Sequence, residues 1–207
     1  EMAETLTRRG VAVTVVELLP TVLSTFDPDM SELVERELLE RGVVVRKDTR
    51  VEGFEPRDGS DSLGYVVAGG QRLEADLALV SVGVRPASEL AASAGIELGP
   101  TGAIKVDSRQ VTSAPSVLAA GDCSEAKHIV TGRPVWVPLG TTANRQGKLA
   151  GENAVGGSAQ FAGVAGTNIV RVFGLEISQT GLNEREAAES GLRFTTVKVR
   201  QPSLPHS

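Results

Sequence analysis

Aromatic residues and cysteine are scarce in this sequence. Phe, Trp and Tyr together make up 3% of the 207 residues, so the hydrophobic core has to be mainly aliphatic. The chain has one cysteine, Cys123, which cannot form an internal disulfide. A disulfide-stabilised secreted scaffold is therefore excluded, and we expect a protein of the reducing cytoplasm.

The sequence also lacks an excess of positive charge and a long apolar run. Lys and Arg number 21 against 26 Asp and Glu, which gives a formal net charge of -5. Proteins that bind nucleic acid need an overall or local excess of basic residues to neutralise phosphates. No apolar run approaches the roughly 20 residues of a membrane span, and no basic start with an apolar block marks a secretory signal. We expect neither a nucleic-acid nor a membrane partner.

Metal-ligating and nucleophilic side chains are isolated from one another. The two histidines, His128 and His206, lie far apart in the sequence, and we place His128 on a loop surface and His206 in the tail. We therefore expect no metal site. Cys123 is interpreted as a small buried hydrophobe, since free cysteines are more often packed than reactive.

Helices and apolar strands alternate over the first 83 residues, as in an α/β fold with a parallel sheet. Asp27 and Pro28 are typical of a helix start, and Gly10 and Gly42 are typical of helix ends. The predicted elements are a helix ending at Gly10, a strand at 11–17 buried on both faces, a helix from 27 to 42, a short strand at 43–45, an antiparallel hairpin at 50–74 and a buried strand at 75–83.

The remainder of the chain is richer in glycine and small residues. It predicts a short helix capped by Ser88 and a helix at 183–190 with a capping box formed by Asn183 and Glu186. Further predicted elements are an extended segment at 103–106, strands at 116–122, 167–173 and 194–200, and a helix at 140–155. We divide the chain into three domains, at residues 1–83, 84–158 and 159–207.

Glu17 follows an apolar β-branched run, the position at which a dinucleotide-binding βαβ unit carries its ribose-binding acid. An ordinary strand-end glutamate is the alternative. The carboxylate would repel a 2′-phosphate, and residues 18–20 are Leu-Leu-Pro rather than Arg, so NADH is favoured over NADPH. The glycine fingerprint lies about 20 residues before such an acid, so we expect a strand and a phosphate-binding turn to precede residue 1.

Two segments further along predict a site for a flavin. The small residues of Ala-Ala-Gly-Asp at 119–122 would let a ligand approach the backbone closely. We predict that Gly121 offers the ligand a free amide N–H and that Asp122 offers it a hydrogen-bond acceptor. Pro-Leu-Gly-Thr-Thr-Ala-Asn at 138–144 opens a helix with small residues and leaves free N–H groups at a positive dipole end. Such an end stabilises negative charge on a flat electron-accepting ring.

Four segments resemble the FAD-dependent pyridine nucleotide-disulphide oxidoreductases, and most of all the branch with NADH oxidase, NADH peroxidase and coenzyme A-disulphide reductase. The segments are Val-Thr-Val-Val-Glu at 13–17, Val-Ser-Val-Gly-Val-Arg-Pro at 80–86, Ser-Val-Leu-Ala-Ala-Gly-Asp-Cys at 116–123 and Pro-Leu-Gly-Thr-Thr-Ala-Asn-Arg-Gln-Gly at 138–147. The resemblance implies partial three-layer FAD/NAD(P)-binding Rossmann-like domains, followed by the start of an α+β dimerisation domain.

The resemblance also implies how FAD would be bound. Asp122 would hydrogen-bond the ribityl chain, and Gly121 would lie near the pyrophosphate. Leu139, Gly140 and Thr141 would lie at the helix end under the isoalloxazine. The family's redox cysteine belongs to a segment that would precede residue 1, so no catalytic residue is expected within these 207 residues.

For NADH, the resemblance implies that Glu17 would hold the ribose and that Phe26 would lie against the adenine. Gly83 would let the nicotinamide half pass close to the backbone. Core packing remains an alternative for Phe26, since isolated aromatic residues mostly pack inside. For Trp136, loop packing and a place beside the flavin are both open.

The implied reaction passes hydride from NADH to FAD, and then electrons to a cysteine-based acceptor or oxygen. The implied substrate is a small molecule or a thiol/disulphide, and the implied assembly is a homodimer. Two alternatives stay open: a ferredoxin-reductase-like electron-transfer component, and an inert nucleotide-binding or dimerisation fragment. We expect the 207 residues alone to bind FAD poorly and not to turn over.

Overall fold

The computed structural model describes residues 1–200, which form small sheets and helices joined by long irregular segments. The helices are α1 (Met2–Arg8), α2 (Pro28–Glu40), α3 (Glu89–Ser93), α4 (Gly140–Ala154) and α5 (Glu184–Glu189). The strands are β1 (Thr14–Val16), β2 (Val44–Arg46), β3 (Val51–Pro56), β4 (Leu63–Ala68), β5 (Gln71–Glu74), β6 (Ala126–Lys127), β7 (Pro134–Val135), β8 (Asn168–Val172) and β9 (Leu175–Gln179).

Strands β1 and β2 are parallel neighbours connected through α2, which gives the βαβ unit predicted for the start of the chain. Helix α2 begins with Pro28 in its first turn and is followed by Gly42 at φ +78°, as predicted. Asp27 precedes the helix in an extended conformation, but its carboxylate does not cap α2. Instead, that carboxylate accepts a hydrogen bond of 2.9 Å from the backbone N–H of Glu184.

The predicted hairpin is the first part of a three-stranded antiparallel sheet, in the order β3-β4-β5. Strand β4 lies in the centre and pairs with β5 through the two-glycine turn at Gly69 and Gly70. Both glycines have positive φ, at +56° and +70°, which a turn of this kind requires. The prediction for residues 50–74 is therefore confirmed and extended by one strand.

The hydrophobic core combines residues from both ends of the chain. Helix α2 and the segment before it pack against the antiparallel hairpin β8–β9. The buried members are Val22, Phe26, Val34, Leu38, Val43, Val172, Phe173 and Ile177. The predicted segments 1–83 and 159–207 thus share one core within the described residues.

Helix α5 is fixed to this region by its N-cap. The side chain of Asn183 accepts from the backbone N–H of Glu186 at 2.8 Å, and the Glu186 carboxylate accepts from the Asn183 N–H at 3.0 Å. This is the predicted capping box. The Asn183 amide also donates to the carbonyl of Thr25 at 3.1 Å, so the cap ties α5 to the chain before α2.

The predictions of strands at 75–83, 116–122 and 194–200 are wrong, because all three segments are irregular in the structure. In the first, Leu77, Val80 and Val82 are exposed, with Val82 at 86%. An apolar run becomes a buried strand only beside partner strands, and no described strand pairs with these segments. The strand at 11–17 is likewise shorter and less buried than predicted, since β1 covers Thr14–Val16 and Val11 is 47% exposed.

One further prediction is corrected by packing, and one strand was missed. His128 was expected on a loop surface, but it is 5% exposed, and its Nδ1 accepts from the N–H of Val130 at 3.3 Å. Strand β9 was not predicted at all, although Leu175 and Ile177 alternate there with polar residues. His206 lies outside the described residues. Within residues 1–200, no helix is long and apolar enough to cross a membrane.

Candidate functional site

The Gly-Asp segment predicted to bind a cofactor packs directly on α4. Gly121 has φ +85°, and its N–H donates to Oε1 of Gln146 at 3.0 Å. The same oxygen lies 3.4 Å from the hydroxyl of Ser124, and the Gln146 amide nitrogen donates to the carbonyl of Glu125 at 3.1 Å. The prediction of a free amide at Gly121 is therefore wrong, because this N–H is bonded to the fully buried side chain of Gln146.

A glycine is favoured at position 121 by its conformation, since φ +85° lies in the left-handed region that residues with a side chain rarely adopt. A Cβ atom there would lie 3.5 Å from the Cβ of Ala143, which is in the first turns of α4. Trp136 packs against the same segment, since its indole N–H donates to the carbonyl of Asp122 at 2.8 Å. These contacts bring the exposed Asp122 carboxylate to the edge of the protein where α4 begins.

The first turn of α4 faces open space. Leu139 is the N-cap residue in an extended conformation, and within the described chain no side chain caps this helix. Gly140 and Thr141 are exposed, and a Cβ added to Gly140 would meet no atom within 4 Å. The first N–H groups of the helix and its positive dipole end are thus available to an electron-rich ligand.

Trp136 and Cys123 both have structural partners. The hydrogen bond from Trp136 to Asp122 supports the loop-packing interpretation, and it also places the indole beside the candidate site. The Cys123 sulfur contacts the carbonyl of Ala120 at 3.5 Å and is partly buried. Among residues 1–200, no group of three or more His, Cys, Asp or Glu could hold a metal ion.

Glu17 is held at the end of β1 by backbone contacts. Its N–H donates to the carbonyl of Arg46 at 2.8 Å, and its carbonyl accepts from the N–H of Thr49 at 3.0 Å. The carboxylate oxygen Oε1 accepts from the N–H of Leu19 at 2.9 Å. One carboxylate oxygen therefore fixes the turn after the strand, which leaves the other for a ligand hydroxyl.

The remaining residues of the predicted NADH site lie in different surroundings. Phe26 is 8% exposed within the hydrophobic core, which supports the packing interpretation and leaves little of the ring for an adenine. Gly83 has φ +95° and lies in the exposed segment after β5, with open space around its Cα. A contact of either residue with NADH stays a prediction.

Sequence reasoning missed the buried polar residues behind the site. Glu125 is 4% exposed, and its Oε1 accepts from the N–H and hydroxyl of Thr101 at 3.1 and 2.7 Å. Gly99 packs against this carboxylate so closely that a Cβ there would overlap it. Gln146 is one turn after the buried Thr142 on α4, and this helical spacing was the one signal that could have revealed it.

Comparison with known proteins agrees with the fold. A NAD(P)H sulfur oxidoreductase (CoA-dependent) of Pyrococcus furiosus is 37% identical over 207 residues, which are 100% of this chain and 46% of that protein. A NAD-dependent persulfide reductase from A. fulgidus superposes with a TM-score of 0.87 at 41% identity, covering 93% of this chain and 35% of that one. A water-forming NADH oxidase from Lactobacillus brevis bound to NADH has a TM-score of 0.90 at 28% identity, covering 100% and 46%.

These superpositions confirm the predicted class, a partial Rossmann-like α/β fold of the FAD/NAD-binding type. Residues 1–147 match the pyridine nucleotide-disulphide oxidoreductase family, and the chain belongs to it. The chain spans less than half the length of the curated relatives that it matches over all its residues.

Proposed function

We propose that this chain is part of a flavoprotein that passes hydride from NADH to FAD and then electrons to a cysteine-based acceptor or oxygen. The observation that carries the proposal is the packing of the Gly121–Asp122 segment against α4 through Gln146. That packing puts a carboxylate and an uncapped helix N-terminus at one edge, the two features that an isoalloxazine nucleotide needs.

The residues at this edge fit FAD. Asp122 has an exposed carboxylate that can accept hydrogen bonds from ribityl hydroxyls. Leu139, Gly140 and Thr141 leave space beside the first turn of α4, whose N–H groups stabilise negative charge on the ring. Gly121 would let FAD approach the backbone closely, but it offers no hydrogen-bond donor, since its N–H is bonded to Gln146. Bound FAD would supply the hydride acceptor and the route for electrons.

For NADH, Glu17 is the residue that we assign to the ribose. Its free carboxylate oxygen accepts from ribose hydroxyls, and the Leu18-Leu19-Pro20 stretch that follows offers no cation to a 2′-phosphate. We assign Gly83 to the path of the nicotinamide half, because its positive φ and open surroundings allow a ligand close to the backbone. Phe26 supports the strand and helix from within the core.

The electron acceptor is proposed as a small molecule of the disulphide or persulfide type, or oxygen. Relatives of this chain carry both kinds of name, as a persulfide reductase and as a water-forming NADH oxidase. We propose that residues 1–83 and 84–158 are parts of the NAD- and FAD-binding domains, and that 159–207 begin the interface domain.

We further propose a homodimer in the cytoplasm. Exposed apolar side chains in the last segment, including Ile169 at 70% and Val197 at 77%, provide surface that a second subunit would cover. The single cysteine is compatible with a reducing compartment.

The proposal is tested by FAD binding in the whole protein that carries this chain, measured from flavin absorbance and fluorescence during titration. Asp122→Ala removes the ribityl acceptor, and we expect FAD binding to weaken by about tenfold or more. Asp61→Ala changes an exposed turn aspartate away from the site and serves as the matched control. Equal FAD affinity in the two variants would contradict the assignment of the site.

A further inference from the structure

A cavity lies on the surface formed by both ends of the chain, away from the candidate flavin site. Its volume is about 350 Å³, and it is bounded by the ends of α1 and α2 and by the turn between β8 and β9. The lining residues are Thr7, Arg8, Arg41, Arg171, Phe173 and Gly174. Three of these six are arginines, and we refer to this group as the arginine cavity.

The arginines use only part of their hydrogen-bonding capacity within the protein. Arg8 donates to Glu4 at 2.7 Å through Nη2, and Arg41 donates to Glu37 at 3.1 Å through Nε and Nη2. Arg171 donates through Nε to the carbonyl of Phe173 at 3.2 Å. Since each guanidinium carries five N–H donors, several donors remain at the cavity.

Two carboxylates contribute negative charge beside the cavity, but their oxygens are already engaged by the turn of the β8–β9 hairpin. Glu4 accepts from the N–H of Phe173 at 2.8 Å, and Glu37 accepts from the N–H of Gly174 at 3.1 Å. Glu176 lies directly opposite Arg171 in the register of β8 and β9, so three arginines stand against three glutamates at this surface. The glutamates therefore orient Arg8 and Arg41, and a bound anion would be held by the guanidinium donors that remain, not by an excess of positive charge.

The arrangement holds the arginines in place and leaves their outer faces exposed. The Arg41 guanidinium lies over the Phe173 ring, with its Cζ 5.5 Å from the ring centroid, and its side chain is 52% exposed. The absence of a side chain at Gly174 keeps the space beside this guanidinium open, since a Cβ there would lie 3.6 Å from Nη2. Pre-oriented arginines lose less freedom on binding than mobile ones.

A stability role explains Arg8 and Arg41 in part, since both lie at helix C-termini, where cations are favourable. It explains Arg171 less fully, since Arg171 is on β8 opposite Glu176 of β9 but forms none of the described ion pairs. It also leaves the hydroxyl of Thr7, which is buried without a hydrogen-bond partner in the described chain.

We propose that the arginine cavity binds a small phosphate-bearing anion. Guanidinium groups bind phosphate oxygens in pairs of parallel hydrogen bonds, and three of them converge on this cavity. The cavity is larger than a phosphate group alone, so we assign it a phosphomonoester of about nucleoside-monophosphate size. The site is independent of the proposed flavin and NADH sites, because it shares none of their residues.

The test is titration of the purified whole protein with inorganic phosphate, AMP and adenosine at low ionic strength, followed by calorimetry. We expect AMP to bind saturably, phosphate to compete more weakly, and adenosine not to bind. Arg171→Gln and Arg41→Gln should each weaken AMP binding by about tenfold, since each removes charge-assisted hydrogen bonds. Saturable binding of phosphate equal to that of AMP would still support the anion site but would assign it to free phosphate.

The matched control is Arg72→Gln. Arg72 also pairs with a glutamate, Glu55, and lies over an aromatic ring, that of Tyr65, but it does not line the cavity. We expect this variant to bind AMP as the unchanged protein does. Equal weakening in Arg72→Gln and Arg171→Gln would show general charge attraction and overturn the proposal, as would adenosine binding as tightly as AMP. Circular dichroism of each variant distinguishes lost binding from lost folding.

Discussion

The two main regions of this molecule are held together by different forces. Helix α2 and the β8–β9 hairpin share a core of aliphatic and phenylalanine side chains. Residues 84–158 bury few large apolar side chains and are fixed instead by polar groups, above all Gln146 and Glu125. Apolar packing tolerates some change of shape, whereas hydrogen bonds require defined directions. The region with directional contacts is the one that contains the candidate flavin site.

The largest expected effect comes from opening the apolar core. Phe26→Ala removes a ring that is 8% exposed and leaves a cavity, so we expect a loss of about 3–5 kcal/mol in the free energy of unfolding. The measurement is chemical denaturation, with Phe54→Ala as the matched control because Phe54 is 51% exposed on β3. If the two variants lose the same stability, the core described here does not hold the first region together.

A smaller and more local effect is expected in the polar region. Gln146→Leu leaves the N–H of Gly121 and the carbonyl of Glu125 without their partner, which costs about 1–3 kcal/mol for each buried group left unpaired. We expect faster hydrogen exchange at the Gly121 amide together with weaker FAD binding. The exposed Gln160 provides the control variant Gln160→Leu. Unchanged exchange at Gly121 in Gln146→Leu would contradict the role given to this side chain.

The smallest effect concerns the ion pair that joins residues 194–200 to α2. The Lys198 ammonium donates to Asp29 at 2.8 Å, which lowers the pKa of the Asp29 carboxyl from 3.8 and raises the pKa of Lys198 from 10.5. A lowered carboxyl pKa adds stability that is complete above the unfolded value and is lost as the pH falls through the folded one. Both side chains are substantially exposed, so the gain is small and is screened by salt.

This pair can be measured from melting temperatures between acidic and neutral pH. Asp29→Asn should melt slightly below the unchanged protein near neutral pH, and the difference should disappear as the pH falls below 3.8. Lys198→Gln should show the same pH dependence, whereas Asp61→Asn should show none. A difference that persists at low pH would assign the effect of Asp29→Asn to the helix end instead of to Lys198.

Local signals in the sequence predicted most helices and the pairs of neighbouring strands. The glycines after α1 and α2, the capping box of Asn183 and the start of α4 at Gly140 each depend on residues close in the chain. The β4–β5 turn follows from a similarly short pattern. These features could be predicted because their hydrogen bonds are made within a few residues.

Features that depend on distant contacts could not be predicted. The runs at 75–83 and 194–200 have strand-like composition, but strand formation needs a neighbour that no local pattern specifies. The sequence indicated Gly121 and Asp122 as site residues, but not that the amide of Gly121 is taken by a side chain 25 residues away. Phe26 could be either a core residue or a ligand contact until its packing against the β8–β9 hairpin was known.

The Gln146 side chain has a mechanical consequence for the candidate site. One end of its amide group is bonded to the loop that presents Asp122, and its backbone belongs to the helix whose first turn forms the other wall. A tilt of α4 would therefore carry both walls in the same direction. The spacing between the Asp122 loop and α4 is preserved during such a motion, so a ring bound between them would keep its contacts with both.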